Sequence, residues 1–266
     1  MKIIAEIGWN FLGDLNLAKK MSKSALESGA TIAKFQYWNP LTLKPGAWDK
    51  DGRREIYKKA ALDKEKIKEL IQYCNSLKIS SLFSVFTLTE AKSLMDLGLS
   101  SVKIPSHEIA NYELIEFCAK NFSMIYLSTG ASLEEEVLKS NEILSHGDSK
   151  YNLMHCVSSY PCNTENSNLP RINWLKTLHD KVGLSDHTQS TLVPALSVAF
   201  GVDVIEKHFT TDNNLEGRDN KFALDPKNFS EMVKNINDAV SASTYLGNNY
   251  QKSEADTVKN YRGRWG

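Results

Sequence analysis

Two histidines, His187 and His208, each close a short apolar run, Val182-Gly183-Leu184 and Val202–Ile205. Between them Leu192, Ala195, Leu196, Ala199 and Phe200 recur at helical spacing. Strand, helix, strand is one βαβ repeat, and it carries each imidazole to the C-terminal end of a strand. Adjacent parallel strands lie roughly 4.8 Å apart, so the two rings can share one metal ion or one substrate. Two imidazoles with oxygen ligands suit a borderline divalent ion such as Mn²⁺, Fe²⁺ or Zn²⁺, with Asp186, Glu206 and Asp219 as candidate oxygen donors. Taken singly, His187 could sit at a helix cap behind Ser185 or Asp186, and His208 could be a satisfied core residue. Their matched positions on successive strands favour the shared ligand.

Two lysines, Lys34 and Lys103, fall inside other apolar runs. A buried ammonium requires an anionic neighbour or an anionic ligand, so each either pairs with Glu6, Glu108 or Glu206 or waits for a bound acid. Serines grouped around two lysines suit a phosphate beside a second acid group, through charge-assisted hydrogen bonds.

The elements that must position these residues alternate along the whole chain. Strands are expected at Ile3–Ile7, Thr31–Gln36, Ser81–Phe86, Ser101–Ile104, Met124–Leu127, Tyr151–Cys156, Val182–Leu184 and Val202–Lys207. Helices are expected near 15–29, 62–77, 88–98, 111–120, 132–146, 171–180, 189–200 and 226–245, with Asn111 and Ser132 before two of them and Gly29 after the first. Strict alternation of this kind predicts an α/β fold, the closed (β/α)8 TIM barrel. An open doubly wound sheet is weakened because no Gly-x-Gly-x-x-Gly follows the first strand. In a barrel the active site forms at the C-terminal strand ends. Those ends carry Glu6 and Asn10, Lys34 and Gln36, Ser84, Lys103 with Ser106 and Glu108, Ser128 and Thr129, His155 and Ser158, Ser185 with Asp186 and His187, and Glu206 with Lys207 and His208. Side chains alternate along a strand, so Lys34 shares a face with Gln36, and Glu206 with His208, while Lys207 points towards the helices. The connection Tyr37–Ala61, with Trp38 and Trp48, is long enough to be an ordered lid. His155 reads as packing or support.

A chain of 266 residues, 41% hydrophobic and 24% charged, can bury one large core, and barrels take roughly 250 residues. The catalytic barrel is expected over 1–250, with 251–266 as a tail. Lys plus Arg equals Asp plus Glu at 32 each, which argues against a broad nucleic-acid or membrane footprint. No apolar stretch approaches a membrane span, the N-terminus is too short for a signal peptide, and the four cysteines lack paired metal spacing. A cytoplasmic protein with reduced thiols is expected.

The motifs AEIGWN (5–10), AKFQ (33–36), VKIPSHEI (102–109), LSTGAS (127–132), MHCVSSYP (154–161), NLP-I (168–172), GLSDHT (183–188), EKHF (206–209) and GRD (217–219), in that order, together resemble the sialic acid (N-acetylneuraminate) synthase family, which includes legionaminic and pseudaminic acid synthases. The resemblance implies a barrel that condenses phosphoenolpyruvate with an N-acylated aldose, N-acetylmannosamine-like, to a 3-deoxy-2-keto sugar acid. It implies a divalent cofactor, Mn²⁺ ahead of Mg²⁺, Co²⁺ or Fe²⁺, on His187 and His208. By the same resemblance Lys34 and Lys103 grip phosphoenolpyruvate, helped by Ser84, Ser106, Ser128, Ser158 and Ser185. Relatives carry Thr and Asn at positions 84 and 158. Glu6, Glu108 and Asp219 face the sugar or the reacting centre, with Asn10, Gln36 and Glu206 as further substrate contacts. Two departures stand out. Phe11 stands where family members commonly carry histidine, and the sequence to Gly266 is expected to hold the barrel alone, without the antifreeze-like C-terminal domain that reaches across the dimer in relatives. Arg262, Arg264 or the Trp38/Trp48 loop could compensate for the arginine which that domain supplies. A homodimer is expected. Glu6 or Glu108 would handle the proton of the attacking water. The competing readings are a barrel aldolase or lyase using a Schiff-base lysine, and a non-catalytic sugar-acid-binding barrel.

Overall fold

A computed structural model describes residues 1–266, except for the side chain of Trp48. Eight parallel strands run in sequence order and close on themselves: β1 (Lys2–Gly8), β2 (Ile32–Gln36), β3 (Ser80–Ser84), β4 (Ser101–Ile104), β5 (Met124–Ser128), β6 (Lys150–Cys156), β7 (Val182–Asp186) and β8 (Val204–His208), with β8 pairing back onto β1. Around them lie α1 (Leu15–Glu27), α2 (Arg53–Ala60), α3 (Lys64–Leu77), α4 (Leu88–Asp96), α5 (Tyr112–Asn121), α6 (Glu134–Ser145), α7 (Arg171–Leu178), α8 (Leu192–Ser197) and α9 (Pro226–Ala242). The expected (β/α)8 barrel is the fold observed. Residues 243–266 are mostly exposed and include a short helix, α10 (Ala255–Asn260). No described helix is long and apolar enough to cross a membrane.

The strand period of two builds the barrel's interior in layers. Ile4, Ile32, Leu82, Tyr126, Met154 and Val204 pack together as an apolar floor. One step further along each strand, towards the C-terminal mouth, the inward positions become Glu6, Lys34, Ser84, Ser128, Cys156 and Glu206. Outward positions such as Ala5, Phe35, Phe83, Ile125, Leu153 and Ile205 belong instead to the core between strands and helices. Gly183 belongs to the floor by register, and a Cβ there would lie 2.5 Å from Val204 Cγ1 and 2.9 Å from the Val204 carbonyl. Only glycine lets Met154 and Val204 fill that space.

Several boundaries differ from expectation for local reasons. The Ser190 hydroxyl accepts from Leu192 N (3.0 Å) and Val193 N (3.2 Å), so α8 begins at Leu192 rather than 189 and ends in a 3-10 turn before Gly201, whose φ is +76°. At α6 the cap is not Ser132, whose hydroxyl donates to the Thr129 carbonyl. The Glu136 carboxylate reaches back to Leu133 N at 2.7 Å instead. Asn111 caps α5 as expected, accepting from Leu114 N. The long connection after β2 is ordered into two 3-10 turns (Pro40–Thr42 and Ala47–Asp51) followed by α2.

Candidate active site

Across the mouth, directly above the apolar floor, four charged side chains form a buried layer. Lys34 Nζ donates to Glu6 Oε2 at 2.6 Å and lies 3.4 Å from Glu206 Oε1. Lys103 Nζ lies 3.4 Å from the same Glu206 oxygen, and Ser185 Oγ donates to it at 3.1 Å. Gln36 Nε2 donates to Glu6 Oε1 at 2.7 Å. All four charged groups are buried, so each partner matters. Burial opposes the Glu206 charge, but Lys103 and Lys34 outweigh it and hold its carboxyl down to about 2. Burial raises the Glu6 carboxyl, with Lys34 pulling it back only in part. Lys34 stays firmly cationic because Glu206 and Glu6 overcome its burial. Lys103 is pushed down by burial, having one carboxylate neighbour at longer range. The layer is balanced in charge but unevenly held, with Lys103 the looser cation.

The two imidazoles stand beside this layer with ring centroids 5.3 Å apart. His187 Nδ1 is fixed at 2.8 Å by the Val157 carbonyl, which leaves Nε2 for a ligand. His208 Nδ1 lies 3.8 Å from Asp219 Oδ2. His208 Nδ1, Glu206 Oε2 and Ser128 Oγ are buried and find no hydrogen-bond partner among the described residues. Burial, reinforced by His187 and Lys34, pushes His208 well below the usual range, so it stays neutral, the form that ligates metal. Among the described residues no three His, Cys, Asp and Glu side chains converge into a ready metal cage. Two imidazoles with a free nitrogen each and an unpartnered carboxylate oxygen still fit a divalent ion in donor type.

Aromatic rings crown the mouth. Trp9 stacks on Tyr57 (5.1 Å, 19°), Trp38 meets both edge-on, Phe86 continues from Trp38 at 6.0 Å, and His107 stacks on Phe86. Tyr160 lies over His187 at 4.2 Å and against His208 and Phe222. Trp9 Nε1 donates to Asp219 Oδ2 at 2.5 Å, while burial lifts that carboxyl to about 6.

Comparison with known proteins matches the NeuB family model over residues 21–248. The chain is 36% identical to the N,N'-diacetyllegionaminic acid synthase of Campylobacter jejuni, covering 97% of this chain and 81% of that one. It is 33% identical to the pseudaminic acid synthase of Helicobacter pylori, over 91% and 75% respectively. The crystal structure of the N-acetylneuraminic acid synthetase of Leptospira borgpetersenii, solved with citrate, superimposes with a TM-score of 0.90 at 31% identity, covering 96% of this chain and 89% of that one. The chain belongs to the NeuB family.

Within this NeuB-family barrel the structure brings together Glu6, Lys34, Gln36, Lys103, Ser185, Glu206, His187, His208 and Asp219. Ser84 is buried opposite Lys103 in the β3–β4 register. Ser106 Oγ accepts from Gly130 N at 3.1 Å, and Ser158 lies 3.8 Å from Cys156 Sγ. Glu108 stands apart from the charged layer, half-buried and bonded to Asn111 Nδ2 at 2.8 Å. The Asn10 amide nitrogen is committed to the Phe209 carbonyl at 2.8 Å. Asp186 is no oxygen ligand. Its carboxylate turns outward to Lys207 and Thr188, as strand alternation dictates. Phe11 is buried against Phe35 between strands and helices, so its ring does not occupy the mouth. Arg262 is exposed and Arg264 stacks over Tyr261 within the tail, whereas Trp38 joins the mouth; the Trp48 side chain lies outside the described residues. His155 supports the loop after β6 through Nε2 to the Ser167 carbonyl.

Trp9, Tyr160 and Cys156 escaped the reading of the sequence as site residues. The Cys156 thiol lies 3.8 Å from His187 Nδ1, and its pKa falls to about 7 because His187, Ser106 and Lys103 outweigh burial. The signal was their position at or just after strand ends, within AEIGWN and MHCVSSYP.

Proposed function

We propose that the chain condenses phosphoenolpyruvate with an N-acylated aldose, releasing phosphate and forming a sialic-acid-type 3-deoxy-2-keto sugar acid. The observation that carries this reading is the buried Glu6–Lys34–Glu206–Lys103 layer beside two ligand-competent imidazoles, in a NeuB-family barrel. A dianionic phosphate with an adjacent carboxylate matches two lysines and the serines around them. The aromatic crown suits the apolar faces and acyl groups of a sugar, with Asp219 as a polar anchor.

Lys34 and Lys103, with Ser106, Ser128 and Ser158, hold the phosphate and carboxylate of phosphoenolpyruvate. Binding both substrates in one cavity removes much of the entropic barrier to their reaction. The terminal enol carbon attacks the aldehyde carbon: its π pair makes the new carbon–carbon bond, and the carbonyl pair moves to oxygen, which is protonated. His187 and His208, with Glu206 or Asp219, would hold a divalent cation, Mn²⁺ ahead of Mg²⁺, Co²⁺ or Fe²⁺, which supplies Lewis-acid polarisation of the aldehyde. The former enol carbon becomes cationic and water adds there. Glu6 takes the proton of that water, its basicity raised by burial while Lys34 and Gln36 orient it. The hydroxyl of that adduct then gives its proton to the departing phosphate as the carbon–oxygen bond breaks, which expels hydrogen phosphate and leaves the 2-keto group, while the proton held by Glu6 returns to solvent in place of the one taken up by the aldehyde oxygen. Glu6 takes this role in preference to Glu108 because it lies within the charged layer beside Lys34, from which Glu108 stands apart.

The deciding experiment is phosphate release from phosphoenolpyruvate with Mn²⁺ and a panel of N-acylated aldoses. Release with at least one aldose is expected, with Glu6→Gln slower by at least roughly 100-fold and Glu108→Gln much less affected. Absence of release with every aldose sinks the proposal. The depressed Lys103 ammonium favours one second reading, a Schiff-base aldolase. Borohydride trapping with a keto acid separates the two, because the synthase forms no adduct.

A further inference from the structure

Lys207 sits between Glu206 and His208 on β8, yet its side chain leaves the barrel interior and is 1% exposed. Its ammonium meets four acceptors: Asp186 Oδ2 at 2.5 Å, the Thr188 carbonyl, Thr188 Oγ1 at 3.2 Å and the Ser190 carbonyl at 3.1 Å. These belong to residues 186, 188 and 190, which straddle His187 in the loop from β7 to α8. The same loop is laced to itself around that ammonium. Asp186 Oδ1 accepts from Thr188 N at 3.0 Å, and Thr188 Oγ1 donates to Asp186 Oδ2 at 2.9 Å. The register pairs Asp186 directly with Lys207, so one strand's outward residue holds the exit of its neighbour.

We infer that Lys207 is a positioning residue: it clamps the β7–α8 loop and thereby fixes where the His187 imidazole points. The ring has one fixed nitrogen, Nδ1 on the Val157 carbonyl, and the His187 carbonyl accepts from Cys162 N at 2.9 Å. Those contacts tie His187 to the loop after β6, whereas Lys207 ties it to β8, which carries His208. The clamp sets the distance between the two imidazoles by joining the strands they stand on. Lysine suits the job because a compact ammonium lets donors converge on acceptors from three directions, which the planar guanidinium of arginine cannot. The inference rests on the reading of His187 and His208 as a shared ligand pair.

The test compares wild type with Lys207→Met and Lys207→Arg, at a temperature well below each melting point. Mn²⁺ binding is read from the electron paramagnetic resonance of free Mn²⁺, and the metal-free imidazoles are read by ¹H–¹⁵N NMR. Lys207→Met is expected to weaken Mn²⁺ binding roughly 10- to 100-fold, the usual cost of removing a group that orients a ligand. The His187 resonances should move while those of His179 stay in place. Lys207→Arg should recover melting temperature more than Mn²⁺ affinity, which a purely structural lysine would not do. If Lys207→Met does not fold, Asp186→Asn/Lys207→Met carries the comparison, since it leaves no unpaired buried charge. A folded variant with unchanged His187 resonances and unchanged Mn²⁺ affinity overturns the clamp. If wild type takes up no Mn²⁺, the metal assignment falls and the imidazole spectra alone decide.

Discussion

Replacing Glu206 by glutamine probes the charged layer at its centre. One oxygen, Oε1, serves Lys34, Lys103 and Ser185 together. In the unfolded chain that carboxyl returns to its ordinary value of 4.5, whereas in the barrel it is held down to about 2. At about 1.4 kcal/mol per pH unit, this displacement makes the charge worth about 3 kcal/mol to the fold. Glu206→Gln removes that charge and leaves two buried ammonium groups sharing Glu6. A loss of about 3–5 kcal/mol is therefore expected at pH 7, which for a domain of this size lowers the melting temperature by roughly 6–15 °C. The sign with pH follows from the depressed value. The stabilisation is complete above 4.5 and is lost as pH falls through about 2, so the gap between wild type and variant holds at neutral pH and closes in acid. Thermal unfolding followed by circular dichroism at several pH values measures both. Inorganic phosphate should stabilise the variant more than wild type, because an anion then supplies the missing charge. A melting temperature changed by less than about 2 °C, or a gap that does not close in acid, refutes the coupled layer.

Two further outcomes test other parts of the structure. Gly183→Ala forces a methyl to 2.5 Å from Val204 Cγ1 and 2.9 Å from its carbonyl, and should cost about 1–3 kcal/mol in urea unfolding; a neutral effect would mean the barrel floor is not close-packed. Burial pushes the His155 imidazole below its usual range, so its contribution to stability is present above about pH 6.5 and declines as pH falls through the lower folded value. His155→Gln should therefore flatten the fall in melting temperature between pH 7 and pH 5, and an unchanged slope would count against that assignment.

Much of this was legible along the chain. Apolar runs of strand length alternating with amphipathic segments call for a parallel sheet covered by helices on both faces, and the missing Gly-x-Gly-x-x-Gly after the first strand favours the closed barrel over an open sheet. Alternation also told which way Lys34, Gln36, Glu206, His208 and Lys207 would point, since a pleated strand allows one answer per register. The family motifs placed the same residues at the mouth. What the chain order could not tell was who pairs with whom. Lys34 finds Glu6 across the β1–β2 register, while Lys103 reaches Glu206 across the barrel, and only closure sets that second distance. Asp186 and Glu108 looked as available as Glu206 in the sequence; the first is drawn outward by Lys207 and the second is held by Asn111. Trp9 and Tyr160 carried no assignment until the loops of neighbouring strands brought their rings to Asp219 and His187. Local pattern specifies which face a side chain occupies, because that depends on its own strand alone. Partnership, burial and the charge each group carries depend on strands distant in sequence, and those the tertiary structure decides.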